Sequence, residues 1–403
     1  MSTPSIARPT SLKFSRSPIF ITGKNNTVST DDLYSMNFEL YLYGGLRTAV
    51  PIDPNYELQK DYAVNRTINF ELSNLIKDYF SHTPSIYNSV GIVESPEGEI
   101  AWVNYIGTWT YSNAGGSPTT ASHTSGNTYA FLSTEGWSPI PDYNNPNYTG
   151  YPYFVSRPRY VMPDAYEVLP ISNFGTSAVN RLEIVWSDGE QGNFEWSGGF
   201  QPPNYSLYAE RAVCYWGVGP QNLNDLPELD NLLKPENHEC GESYVLNFYN
   251  DLDELVHSET YTLTCECKYT PYQIAFVNRY GMMDYMTWFK RSDEEIAFTT
   301  DTYKASIYQD GFTSASVESR VYTDFNINGR KSVTLNSDWV DEVYKYVLED
   351  ILMSKEVWIL ENADWLAVNP ERSTLNMKKE VNEKMINYTM KFTYAVDDRP
   401  LIR

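Results

Sequence analysis

Apolar and polar residues alternate with a period of two along much of this chain, the pattern of strands with one buried face. In the run Asn37-Phe38-Glu39-Leu40-Tyr41-Leu42-Tyr43 the alternation puts Phe38, Leu40 and Leu42 on one face, and Gly44-Gly45 ends the strand. Further strands are predicted at 56–60 and 67–72. Ser73 then serves as N-cap of a short helix over 74–80. Ser95-Pro96-Glu97-Gly98 predicts a hairpin turn between 90–94 and 99–111, and Asp188-Gly189 predicts another between Ile184-Val185-Trp186 and 193–196. A long hairpin is predicted from 244–249 through 250–253 to 255–267. Ile274-Ala275-Phe276-Val277 is a continuous apolar strand suited to a fully buried position.

The period changes once. Trp339, Val343, Val347 and Ile351 recur at i, i+4 with Val340, Tyr344, Leu348 and Leu352 beside them, which predicts an amphipathic helix over 338–352. Ser337 or Asp338 would cap it, with Asp341 and Glu342 favourably placed in its first turn. Residues 112–128 hold little to bury and read as a loop, and 139–158 as an ordered, extended segment.

At 403 residues the chain exceeds the size of one hydrophobic core. The pattern divides it into an N-terminal β module with a short helix (1–82), a loop-rich β domain (83–203) ending at Pro202-Pro203, a β-sandwich module (204–299), and a C-terminal β domain containing the helix (300–403). The fold class is mainly β. Composition agrees: 33 Tyr, 17 Phe and 10 Trp make 15% aromatics, the residue types of sheets and interfaces.

Charge narrows the function. Thirty Lys and Arg stand against 52 Asp and Glu, a balance of −22, without any basic cluster to track a phosphate backbone, so specific nucleic-acid binding is not expected. The same field would suit a conduit through which nucleic acid slides without adhering. No stretch is long and apolar enough to span a bilayer, and residues 1–16 lack the apolar run of a signal peptide. The expectation is therefore a protein kept in a cytoplasm, or released from it without the general secretory route.

Chemistry is sparse. The chain holds no phosphate-binding glycine loop, no His-Glu-x-x-His and no Gly-x-Ser-x-Gly elbow, and His82, His123, His238 and His257 are dispersed, so no enzyme and no cofactor is expected. Carboxylates and aromatics are plentiful, for example Glu190 and Glu195 near Trp186 and Trp196, which keeps a carbohydrate-binding or glycan-hydrolysing protein as the alternative. Cys214, Cys240, Cys265 and Cys267 are a local group. Cys265 and Cys267 would share a strand face, with Cys240 and His238 as conceivable further metal ligands. The spacing matches no standard zinc pattern, and buried unpaired thiols are the plainer expectation. Asn278-Arg279-Tyr280-Gly281 follows the buried strand and needs positive φ at the glycine. It leaves Arg279, Tyr280, Met283, Tyr285 and Trp288 as interface candidates, against the plainer reading of a turn with an aromatic core beyond it.

The segment Gln273 to Gly281, the aromatic run Tyr285 to Phe289 and Lys290-Arg291-Ser292 together resemble a segment recurring in virion proteins of tailed phages infecting Bacteroidetes, the crAss-like group included. Phe14 to Ile21 with Ile68 to Phe80, and Tyr388 to Ala395, look similar to further parts of those proteins. The resemblance implies a structural subunit of the tail or head–tail connector, built from immunoglobulin-like β-sandwiches. Such a subunit would sit in the virion in a homo-oligomeric ring, contacting portal, connector or tail subunits.

Overall fold

The computed structural model describes residues 5–7, 13–14, 20–24, 32–43, 50–61, 67–76, 78–84, 92–94, 100–112, 119–124, 128–131, 152–172, 179–195, 213–227, 229–250, 252–304, 321–372 and 385–396. The chain forms two compact units. The first comprises Met1–Cys265, Phe276–Tyr285 and Val343–Lys355, and the second Glu266–Ala275, Met286–Glu342 and Glu356–Arg403.

The first unit holds two layered β assemblies. In one, β1 (Ser5–Ala7), β3 (Phe20–Lys24) and β6 (Thr67–Glu71) form a three-stranded sheet. A six-stranded sheet runs β2 (Lys13–Phe14), β10 (Thr128–Phe131), β8 (Ile100–Ser112), β4 (Asp32–Tyr43), β5 (Tyr56–Asp61), with β9 (Thr119–Thr124) also on β8. The alternation in β4 buries Met36, Phe38, Leu40 and Leu42, and Phe38 stacks on Phe70 of β6 and Tyr105 of β8, so both sheets share one core. Ser73 begins a one-turn helix, α1 (Ser73–Ile76), shorter than the predicted one.

The other assembly is a sandwich. Its five-stranded sheet is ordered β11 (Arg159–Val161), β17 (Leu255–Leu263), β16 (Ser243–Asn250), β13 (Val179–Trp186), β14 (Gln191–Glu195). The facing sheet is β12 (Val168–Ser172), β15 (Val213–Gly217), β7 (Ile92–Glu94). Leu169, Ile171 and Trp216 from the small sheet and Val161, Leu182, Ile184, Leu246, Phe248 and Leu263 from the large one make a continuous core. Each such side chain contributes about 1.5–3 kcal/mol on burial. The predicted hairpins β13–β14 and β16–β17 are present, with Gly189 at φ 97° in the first turn. This is the immunoglobulin-like expectation met at the level of a two-sheet, largely antiparallel sandwich, and the chain is mainly β throughout. A short helix, α2 (Pro220–Asn224), follows β15.

The strands of the second unit lie in a seven-stranded sheet ordered β19 (Met283–Trp288), β18 (Tyr272–Val277), β22 (Val357–Glu361), β23 (Asp364–Pro370), β24 (Met385–Tyr394), β21 (Tyr322–Asp341), β20 (Asp293–Lys304). Of these, β18 and β19 also contribute residues to the first unit.

Four expectations change. The helix α3 spans Tyr344–Met353 rather than 338–352, because Trp339, Val340 and Asp341 extend β21 and pair with Asn387, Ile386 and Met385 of β24. A continuing ladder outcompetes the helical spacing there, and Asp338, at φ 69°, sits in the bulge instead of capping a helix. The hairpin expected around 95–98 does not form between its flanks, since β7 pairs with β15 while β8 pairs with β4. Part of the loop expected at 112–128 is β9. The domain boundaries after 82, 203 and 299 are each crossed, by β4–β8 pairing, by β13–β16 pairing and by β20 itself. The extended segment expected at 139–158 lies outside the described residues as far as 151.

Candidate interaction site

The turn after β18 is built as its sequence requires. Gly281 takes φ 78°, and buried Asn278 accepts from the Tyr280 and Met282 amides and donates to the Tyr153 carbonyl at 2.7 Å. Arg279 donates through Nε to Asp350 Oδ1 at 2.8 Å and through Nη2 to the Tyr346 carbonyl, and its guanidinium lies over the Tyr346 ring. Burial drives the Asp350 carboxyl up to about 7 against the pull of Arg279. Tyr280 packs edge-on to Tyr153. Met283, Tyr285 and Trp288, expected at an interface, are at most 2% exposed within the chain itself and belong to its core. Arg279 is likewise committed to α3 of the same chain.

The cysteines do not gather into a metal site. Cys240 and Cys265 form a disulfide with Cα atoms 5.6 Å apart, Cys214 is buried on β15, and Cys267 is exposed. The readings as a Cys240/Cys265/Cys267 ligand set and as four unpaired thiols are both corrected, because two sulfurs are consumed by the bond across the 25-residue separation. The glycosidase-like pairing also loses its platform. Trp186 is buried and donates to the Leu233 carbonyl, and Trp196 lies outside the described residues.

A buried ionic network, which no sequence expectation covered, joins Arg157 and Arg159 to Glu167, Glu259 and Asp284. Arg157 grips Asp284 with both terminal nitrogens at 2.9 and 3.0 Å and donates to the Tyr285 carbonyl. Arg159 reaches Glu259 at 3.1 Å, Asp284 at 3.1 Å and Glu167 at 3.4 Å. The parallel pairing of β11 with β17 sets this up, since Arg159 lies opposite Tyr261 and an i, i+2 step returns both strands to the same face at Arg157 and Glu259. Burial opposes ionisation of Asp284, but Arg157 and Arg159 outweigh it and hold the carboxyl below its ordinary range. Burial is likewise outweighed at Glu259, where His257, Arg159 and Ser156 all favour the anion. Glu167 has only the longest of these contacts, and burial pushes it up to about 7. Two guanidiniums thus face two firm carboxylates and a third carboxyl that holds a proton near neutrality. Such a network ties segments together and offers no open position for a substrate. Arg157-Pro158-Arg159 among aromatic residues was its one signal in the sequence.

Among the described residues, a two-stranded arm of the second unit exposes several large apolar side chains. From Ile296 to Lys304, β20 pairs with the Tyr322–Lys331 stretch of β21, whose pairing with β24 begins only at Ser332. Every residue of β20 is exposed, and β20 is the sheet's edge. Its apolar residues are nevertheless large: Phe298 is 67% exposed, and Ile296, Tyr303, Tyr322, Phe325 and Ile327 are exposed beside it. Phe298 and Ile296 lie over Gly329, where an added Cβ would stand 3.2 Å from the Phe298 ring. Tyr303 and Phe325 pack edge to face at 5.6 Å.

No family model matches the chain, and no curated protein matches it. Among solved structures, the fibronectin(III)-like modules of Clostridium thermocellum CbhA align with 65% of this chain and 94% of theirs, at 11% identity and a TM-score of 0.17. Trypsin-activated alpha-2-macroglobulin from Escherichia coli aligns with 96% of this chain at 9% identity and a TM-score of 0.21, the match spanning 21% of that protein. At these scores neither likeness carries a functional argument.

Proposed function

We infer that this chain is a non-enzymatic structural subunit that assembles through protein–protein contacts, and that the β20–β21 arm docks on a neighbouring copy. The observation that carries the reading is the edge strand. Natural sheets blunt long edges with proline, bulges or covering loops, because free backbone donors and acceptors recruit another strand. Here a twelve-residue edge, with a register shift at Thr299/Asp301 and charges at Asp293, Glu294, Glu295, Asp301 and Lys304, still carries exposed Ile296 and Phe298, with Phe325 and Ile327 on its partner strand. Strand addition by a second copy would satisfy the backbone and cover the apolar side chains together. The setting proposed is the tail or head–tail connector of a tailed phage, on the segment resemblances at 14–21 with 68–80, at 273–292 and at 388–395. The acidic balance of −22 suits a ring whose neighbours are proteins rather than nucleic acid.

A carbohydrate-binding surface is the second reading, favoured by the exposed Tyr303, Tyr322 and Phe325 rings of the same arm. Light scattering on purified chain separates the two. Wild type is expected as a defined multimer, and Phe298→Asp with Phe325→Asp as a folded monomer, its fold checked by far-ultraviolet circular dichroism, since neither side chain is buried. A wild type that stays monomeric at high concentration overturns the self-assembly reading, and retention on a glycan array would then favour the second.

A further inference from the structure

At one end of the sandwich, three elements bring a histidine and two carboxylates together. Asp188 lies in the β13–β14 turn, His238 follows a 3₁₀ turn, and Glu242 immediately precedes β16. The ligand atoms of all three lie within 4.8 Å of one another. His238 Nδ1 is 3.1 Å from Glu242 Oε2 and 3.8 Å from Asp188 Oδ2.

The other ring nitrogen decides what this means. His238 Nε2 is 2.9 Å from the Leu232 carbonyl, which can only accept, so Nε2 carries a hydrogen. In the neutral ring Nδ1 is then a lone pair, aimed at two carboxylate oxygens that are themselves acceptors. Glu242 Oε2 also accepts the Glu239 amide at 3.1 Å, and the three acceptors converging on one point suit a cation between them. A proton on Nδ1 would serve Glu242 alone and leave Asp188 at 3.8 Å unengaged. A divalent ion would satisfy all three.

We propose that Asp188, His238 and Glu242 bind a divalent metal of the zinc class, through one imidazole nitrogen and two carboxylate oxygens, with the outward position left to water. A backbone carbonyl fixing the ligating tautomer is the usual companion of a metal-bound histidine. Ligand atoms in a tetrahedral zinc site stand about 3.3 Å apart, so the exposed Asp188 side chain need only swing slightly inward. The ring itself cannot wander. It is 5% exposed and stacks on Trp186 with centroids 3.4 Å apart and planes 7° from parallel. The loop bearing it is closed by the Cys240–Cys265 disulfide, by Gly241 at φ 98° and by the Gly241 amide donating to the Leu263 carbonyl at 2.7 Å. Asp188 is oriented from behind, its Oδ1 accepting the Glu190 amide at 3.0 Å, which leaves Oδ2 for the ion. The ion would join the β13–β14 turn to the start of β16 as a third fastening beside the sheet and the disulfide.

The test is calorimetric titration of the full chain, stripped with chelator, with zinc chloride, alongside the Asp188→Asn/Glu242→Gln variant. Both substituted side chains are partly exposed and keep their shape, so the fold is retained, and near-ultraviolet circular dichroism checks it. One zinc per chain is expected, weakened at least tenfold in the variant, with a zinc-dependent rise in melting temperature that the variant lacks. Cobalt should quench Trp186 fluorescence and zinc should reverse it. Absence of saturable zinc binding by the wild type, or binding equal in wild type and variant, overturns the proposal.

Discussion

Replacing Glu167 with Gln tests the buried network through its pH dependence. The folded carboxyl is pushed from the ordinary 4.5 to about 7, chiefly by burial, with Arg159 and Arg157 opposing. That interval of about 2.5 pH units corresponds, at about 1.4 kcal/mol per unit, to about 3 kcal/mol. Because the folded value lies above the unfolded one, the contribution is complete below about pH 4.5 and is lost as pH rises through about 7. A glutamine keeps the size and stays neutral at every pH, so it cannot lose this contribution. Asp350, also pushed up to about 7, is present in both proteins and cancels. Urea unfolding followed by the fluorescence of buried Trp186 and Trp216 gives the stability of each protein from pH 4.5 to 8.5. The variant should gain about 3 kcal/mol on wild type across that range. A difference between the two that stays constant with pH would refute the account of a protonated Glu167 beside two satisfied ion pairs.

Asp284→Asn removes the charge that both Arg157 and Arg159 contact and should destabilise by about 3–5 kcal/mol, read from the denaturant midpoint. Cys240→Ser opens a loop of sequence separation 25 and should cost about 3 kcal/mol, with dithiothreitol lowering the wild-type melting temperature comparably and leaving the variant unchanged. At Gly219 a Cβ would stand 2.3 Å from the Glu167 amide nitrogen and 2.7 Å from the Ala165 carbonyl, both backbone atoms, so Gly219→Ala should cost about 1–3 kcal/mol by thermal unfolding.

Local periodicity carried the parts of the fold decided locally. Phe38, Leu40 and Leu42 face one core, Tyr244, Leu246 and Phe248 another, and Gly281 has the positive φ its turn demands. What periodicity could not carry was partner choice. Val340 fits a helical stripe and a strand equally well, and only the ladder to Ile386 decides between them. The double proline at 202–203 looked like a boundary, and the pairing of β13 with β16 that crosses it joins residues too far apart in sequence for local pattern to reveal. The sequence pattern assigned Arg157 and Arg159 no role. That Arg157 meets Asp284, 127 positions later, depends on where the chain returns rather than on anything near either residue. The exposed arm was hidden for the opposite reason: Ile296, Phe298, Phe325 and Ile327 look like core residues in sequence.

The first unit is discontinuous, and this bears on the order in which the protein can be made. Arg157 and Arg159 emerge from the ribosome more than 120 residues before Asp284, and Arg279 some 70 before Asp350. Until the segment Phe276–Tyr285 has been synthesised, Arg157 and Arg159 lack their shared carboxylate, and until Val343–Lys355 follows, Arg279 lacks Asp350. A nascent chain halted near residue 265 would therefore hold all five strands of the larger sheet yet lack the Asp284 carboxylate that Arg157 and Arg159 share.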